Sequence, residues 1–89
     1  MKLGLDGRNV LITGGSKGIG LACASAFAGE GARVAIVSRN PENLERAKQQ
    51  LASHGFAVAA IRADMSDPAD AQAAIRSAEE QLGPIDVLV

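Results

Sequence analysis

Val10-Leu11-Ile12-Thr13-Gly14-Gly15-Ser16-Lys17-Gly18-Ile19-Gly20 is the stretch that decides the fold of this 89-residue chain. Val10 to Ile12 are consecutive apolar residues with no polar alternation, the pattern of a strand buried on both faces. Glycines then interrupt the run at 14, 15, 18 and 20. A helical period starts inside that glycine loop. Strand, tight turn and helix N-terminus together form a receptor for phosphate, because the first N–H groups of a helix lack partners and its dipole end is positive.

Working outward, the same grammar repeats. Ile19, Ala22, Cys23, Ala26 and Phe27 fall at helical spacing and predict the inner face of a first helix. Gly29 and Gly31 are expected to end it. Arg33 to Val37 reads as a second buried strand. Asn40 and Pro41 then supply an N-cap and a first helical residue, and Leu44, Ala47 and Leu51 form the stripe of a second helix that Gly55 stops. Phe56 to Ala63 reads as a third strand. Asp67 and Pro68 open a third helix, lined by Ala71, Ala74, Ile75, Ala78 and Leu82, and Gly83-Pro84 closes it. Ile85 to Val89 reads as a fourth strand. Alternating strands and helices predict an α/β fold with a parallel sheet. Right-handed crossovers give the strand order 3-2-1-4, most of the first half of a Rossmann-type, doubly wound dinucleotide-binding fold.

Composition narrows the function classes. Nine basic and ten acidic residues leave a formal net charge of -1, so neither nucleic acid nor a membrane surface is an expected partner. The single cysteine, Cys23, excludes an internal disulfide framework and a Cys-based zinc site, and no metal is expected. It reads as a small hydrophobe on the first helix. The residues after Met1 do not form a secretory signal, and no apolar run approaches the roughly 20 residues of a membrane span. The cytoplasm is the expected location. His54, with no second histidine in the chain, reads as a surface residue set against a helix C-terminus.

Three glycines carry separate demands in a phosphate loop. Gly14 lets the chain turn out of the strand, Gly18 lets the backbone approach a pyrophosphate, and Gly20 lets the helix pack closely on the sheet. Ser16 adds a hydroxyl, Lys17 a charge, and Ile19 belongs to the same helix start. An ATP-type phosphate loop fits less well, since it needs Ser or Thr after its lysine and here Gly18 follows Lys17. At the end of the second strand an acid would hold the ribose 2′-hydroxyl of NAD, whereas an arginine accommodates the 2′-phosphate of NADP. The residues there are Val37, Ser38 and Arg39, with no acid among them. Arg39, helped by Lys17, therefore selects NADP over NAD, the alternative being a solvated strand-end arginine. Asp64 and Met65 follow the third strand on the same sheet edge. Two readings of Asp64 stand: an acceptor for the adenine amino group, or the start of a turn.

Thr13-Gly14-Gly15-Ser16-Lys17-Gly18-Ile19-Gly20 resembles the T-G-x-x-x-G-x-G signature of the short-chain dehydrogenases/reductases. The resemblance extends over the whole chain and is nearest in flavour to the branch that includes 3-oxoacyl-carrier-protein reductases. It implies that Arg39 is the NADP-selecting arginine, that Asp64 contacts adenine with Met65 beside it, and that Ile85 to Val89 is the family's fourth strand. It also implies hydride transfer between the nicotinamide and a carbonyl or alcohol substrate, in a homo-oligomer. The family's Asn-Asn-Ala-Gly motif, catalytic Ser and Tyr-x-x-x-Lys pair lie further on than Val89, and the chain contains no tyrosine. Residues 1-89 are thus expected to be an NADP-binding portion without a catalytic residue, inactive alone. The alternatives are a non-catalytic NADP-binding module, a cofactor-sensing regulator, or a fragment of interest for folding.

Overall fold

The computed structural model describes residues 6–14 and 17–89. Four parallel strands, β1 (Asn9–Thr13), β2 (Arg33–Ser38), β3 (Ala59–Arg62) and β4 (Val87–Leu88), are linked by α1 (Gly18–Gly29), α2 (Pro41–Ser53) and α3 (Pro68–Leu82). The sheet order is β3-β2-β1-β4, the Rossmann-type order expected from the alternation. Val10 pairs with Val34 on one side and with Val87 on the other, so β1 is the central strand.

Alternate residues of each strand feed two apolar layers. Val10 and Ile12 of β1, with Val34 and Ile36 of β2, pack under Ala24 of α1 and under Leu44, Ala47 and Leu51 of α2. Leu11, Ala35 and Val37 point to the opposite face, where Ala74 and Ala78 of α3 cover them with Ile61 and Ala63. Each fully buried aliphatic side chain contributes about 1.5–3 kcal/mol by leaving water. At the N-terminal edge of the sheet, Asp86 ties β4 to β1. Its Oδ2 accepts the Asn9 N–H at 2.8 Å, and its own N–H donates to the Asn9 carbonyl at 2.8 Å. Asn9 Nδ2 donates to the Pro84 carbonyl at 2.9 Å, which fixes where α3 hands over to β4.

The helix boundaries follow the expected caps. Asn40 and Asp67 precede Pro41 and Pro68, and each accepts first-turn N–H groups of the helix it opens. Gly29 is still helical, and the turn out of α1 falls at Gly31, whose φ of 87° is a left-handed conformation suited to glycine. The third strand begins later than the Phe56 to Ala63 run suggests. Gly55, at φ 85°, turns the chain back so that the Phe56 N–H donates to the Leu51 carbonyl at 3.0 Å. Phe56 and Val58 therefore enter the core as part of the helix exit, and pairing with β2 starts only at Ala59. The fourth strand is likewise confined to Val87–Leu88, although flanking bonds from Asp86 N–H to Asn9 O and from Val89 N–H to Leu11 O extend the ladder on both sides. Leu88 and Val89 are exposed along it.

The phase of α1 differs from the expected face. Ile19 is 85% exposed, and Ala22 and Ala26 also face solvent. Ala24 is the fully buried residue, flanked by Leu21, Phe27, Ala28 and Cys23 in part-buried positions. The helix sequence GIGLACASAFAG has almost no polar residue to mark an outer side, so every phase reads as apolar. Close approach decides instead: Gly20, Ala24 and Ala28 form an i, i+4, i+8 row of small side chains, and that row lets the helix axis settle against the β1–β2 surface. Chemical denaturation checks this phase. Ile19→Gln is expected to change stability by less than about 0.5 kcal/mol. Ala24→Leu, which forces methylenes into a closed layer, is expected to cost about 1–3 kcal/mol.

Candidate functional site

An open cleft of about 780 Å3 runs along the carboxyl edge of the sheet, lined by residues from the ends of β1, β2 and β3 and from the starts of α1 and α2. Gly14, Lys17, Ser38, Arg39, Asp64 and Met65, six of the residues singled out from the sequence, meet there. Open α/β sheets bind their ligands at this edge, since every strand points its C-terminus and every following helix its N-terminus toward it. Ser16 lies outside the described residues. Gly18 faces another groove, between α1 and α2, with Leu21, Gln50 and His54. Ile19 projects into solvent, and Gly20 is half-buried on the small row of α1.

The loop glycines are where backbone geometry demands them. Gly14 has φ 67° and its N–H donates to the Val37 carbonyl at 2.8 Å, so the chain leaves β1 still fastened to β2. Gly18 has φ 53°. A β-carbon added at either glycine would meet no atom within 4 Å, so conformation and not crowding within the chain sets the requirement. Lys17 stands at the N-cap of α1 in an extended conformation and makes no side-chain cap hydrogen bond, and the first turn of α1 carries no acid. Such a helix start combines a positive dipole end with a nearby ammonium group, which suits a phosphate and repels nothing anionic.

Arg39 is exposed at the end of β2 and lines the same cleft as Lys17. Asp64 follows β3, lines the cleft and fastens a turn. Its Oδ1 accepts the Ser66 hydroxyl at 2.6 Å and the Ser66 N–H at 3.0 Å. Its own N–H donates to Asp70 Oδ2 at 3.0 Å. The two bonds from Ser66, assisted by the Arg39 charge, stabilise the Asp64 anion and hold its carboxyl below its ordinary range. Sequence reasoning missed Asn43, Asn40, Ser66 and Thr13, which also line the cleft. For Asn43 the available signal was its place in the first turn of a helix that starts at the ligand edge.

Comparison with known proteins agrees with the fold. The sequence profile of the family described as short chain dehydrogenase matches residues 8–89. A 3-dehydrosphinganine reductase of Arabidopsis thaliana is 46% identical over 91 residues, covering 100% of this chain and 26% of its own length. The 2,3-dihydro-2,3-dihydroxybenzoate dehydrogenase of Bacillus subtilis strain 168 is 40% identical over 86 residues, covering 97% of this chain and 33% of its own. Among solved structures, L-sorbose reductase from Gluconobacter frateurii, complexed with NADPH and L-sorbose, superposes with a TM-score of 0.91 at 36% identity, over 99% of this chain and 34% of that one. The chain belongs to the short-chain dehydrogenase/reductase family. It spans a quarter to a third of the length of these three relatives. Their substrates differ, and they do not single out the 3-oxoacyl-carrier-protein reductase branch. Among the described residues, no helix is long and apolar enough to cross a membrane.

The turn at Asp64 has a pH signature. A carboxyl whose folded pKa is depressed stabilises the fold above its unfolded pKa, and that contribution disappears as pH falls through the folded pKa. Carboxyl-detected NMR titration is expected to find Asp64 ionising below the ordinary aspartate range. In Ser66→Ala, which removes the hydroxyl donor, the Asp64 midpoint is expected to move back up.

Proposed function

We propose that residues 1–89 form the part of an NADP-dependent oxidoreductase that holds the adenosine and pyrophosphate of the cofactor. The whole protein would transfer a hydride between the nicotinamide and a carbonyl or alcohol. The observation that carries this reading is Arg39, a cation where an NAD-selecting site has an acid, in one cleft with Lys17 and the turn at Gly14. The Arg39 guanidinium presents a planar fork of donors to the 2′-phosphate, and Lys17 adds a mobile point charge. The pyrophosphate takes the start of α1, where Gly14, Gly18, Ile19 and Gly20 shape the backbone and Lys17 leaves the helix end uncapped by its side chain; Ser16, by its residue type, would add a hydroxyl donor. Ser38 and Met65 border the adenosine, and Asp64 keeps the β3 turn in shape beside it. The sequence and fold of L-sorbose reductase, which carries NADPH, support the cofactor assignment by likeness.

The cofactor supplies the hydride chemistry when bound, and the residues of this chain bind and orient it. A tyrosine acid/base cannot come from this segment, which has no tyrosine. Activity of the segment alone is therefore not expected, and the full enzyme's substrate contacts and subunit partners would come from elsewhere.

Fluorescence titration with NADPH and NADH tests the reading. Arg39→Asp removes a charge-assisted contact and adds a repulsive one, so NADPH affinity is expected to fall about 100-fold. NADH affinity is expected to stay within about threefold of wild type, because its ribose carries no phosphate there. Equal losses for both cofactors would refute the assignment of Arg39.

A further inference from the structure

The first turn of α2 has no backbone donor left for an anion. Asn40 Oδ1 accepts the N–H groups of Glu42 at 2.9 Å and Asn43 at 3.1 Å. The Asn40 carbonyl takes the Leu44 N–H at 3.0 Å, and Pro41 has no N–H to give. The first turn of α2 is thus closed by its own cap. A phosphate at this helix start meets side-chain donors.

The side chains with donors that line the cleft at this end are Ser38, Arg39, Asn40 and Asn43. Asn40 gives its side-chain oxygen to the helix and still carries its Nδ2 donors, and Ser38 Oγ accepts the Asn40 N–H at 3.3 Å. Asn43 occupies the third helical position and is half-buried, whereas Arg39 is exposed. The third position of a helix favours an acid, through the dipole and through reciprocal capping. Here the acid of the first turn is Glu42, which does not line the cleft, and the position that does line it carries a neutral amide. Facing a phosphate, that choice removes a repulsion and supplies a donor.

We infer that Asn43 is a specificity-determining residue: its side-chain amide donates to the 2′-phosphate of NADP beside Arg39. This rests on the NADP reading proposed above. Asn43 discriminates by a fixed neutral donor and by the absence of a carboxylate, while Arg39 supplies the charge. An acid at this position would turn the cofactor preference toward NAD without any change at Arg39.

Titration of the full chain with NADPH and NADH, beside thermal melting, tests this. Asn43→Asp suits the helix end, so its melting temperature is expected to match or exceed that of wild type. Its NADPH affinity is expected to fall about 100-fold and its NADH affinity to stay within about threefold. Asn43→Ala, which loses the donor without adding charge, is expected to weaken NADPH about tenfold. If both variants bind NADPH like wild type while Arg39→Asp loses its discrimination, Asn43 has no part in specificity and the NADP reading stands. Equal loss of both cofactors in Asn43→Asp also overturns the inference. If wild type does not prefer NADPH, or Arg39→Asp leaves the preference unchanged, the NADP reading itself fails and takes this inference with it.

Discussion

β1, one of the two inner strands of the sheet, buries its middle completely. Val10, Leu11 and Ile12 are fully buried, with alternate side chains entering opposite apolar layers and both backbone edges bonded to neighbours. A parallel strand in this position must be apolar on both faces. It must also release the chain abruptly at its end, because the next element is a helix that returns over one of those faces. Gly14 performs that release while its N–H still bonds to the Val37 carbonyl. The ligand cleft follows from this constraint. Burying β1 brings the carboxyl ends of β2 and β3 level with the glycine turn, and the residues just beyond them become neighbours.

The three helix starts divide into two kinds. Asn40 and Asp67 close α2 and α3 with side-chain oxygens, whereas Lys17 opens α1 with a cation and no cap bond. A cap satisfies N–H groups that an anion would otherwise claim. The helix start without a side-chain cap is the one next to the glycine turn, and the capped starts follow the ends of β2 and β3. Under the proposed reading, backbone groups serve the pyrophosphate, which every dinucleotide carries. Side chains serve the phosphate that distinguishes one dinucleotide from another.

Much of this was legible in the residues. Unbroken apolar runs marked β1 and β2, and the Asn40-Pro41 and Asp67-Pro68 pairs located the starts of α2 and α3, because caps and proline act locally. The glycine loop and Arg39 were read from spacing alone and fall on the same edge of the sheet. The face of α1 was not legible, since a helix of small apolar residues has no polar side from which to infer its inner one. The start of β3 was not legible either. Phe56 and Val58 look like strand residues, but the helix exit at Gly55 uses them to fill the core first. Asp64 was undecided for a similar reason. A carboxylate after a strand can face a ligand or fasten a turn, and the bonds from Ser66 are of the second kind.

The order of the strands in the sheet also has a consequence during synthesis. β1 is translated before the other described strands, and its last partner arrives with Asp86, which bonds to Asn9 across a separation of 77 residues. At ribosomal speed that interval lasts about 4–15 seconds, since chains grow at roughly 5–20 residues per second. During that time the Val10-Leu11-Ile12 segment is apolar and lacks the partner that closes its second edge. Unpaired apolar strands of this kind are where nascent chains associate wrongly. The glycine turn and the small-residue face of α1, both adjacent in sequence, are available early. They let the first helix shelter one side of the strand while the rest is still being made.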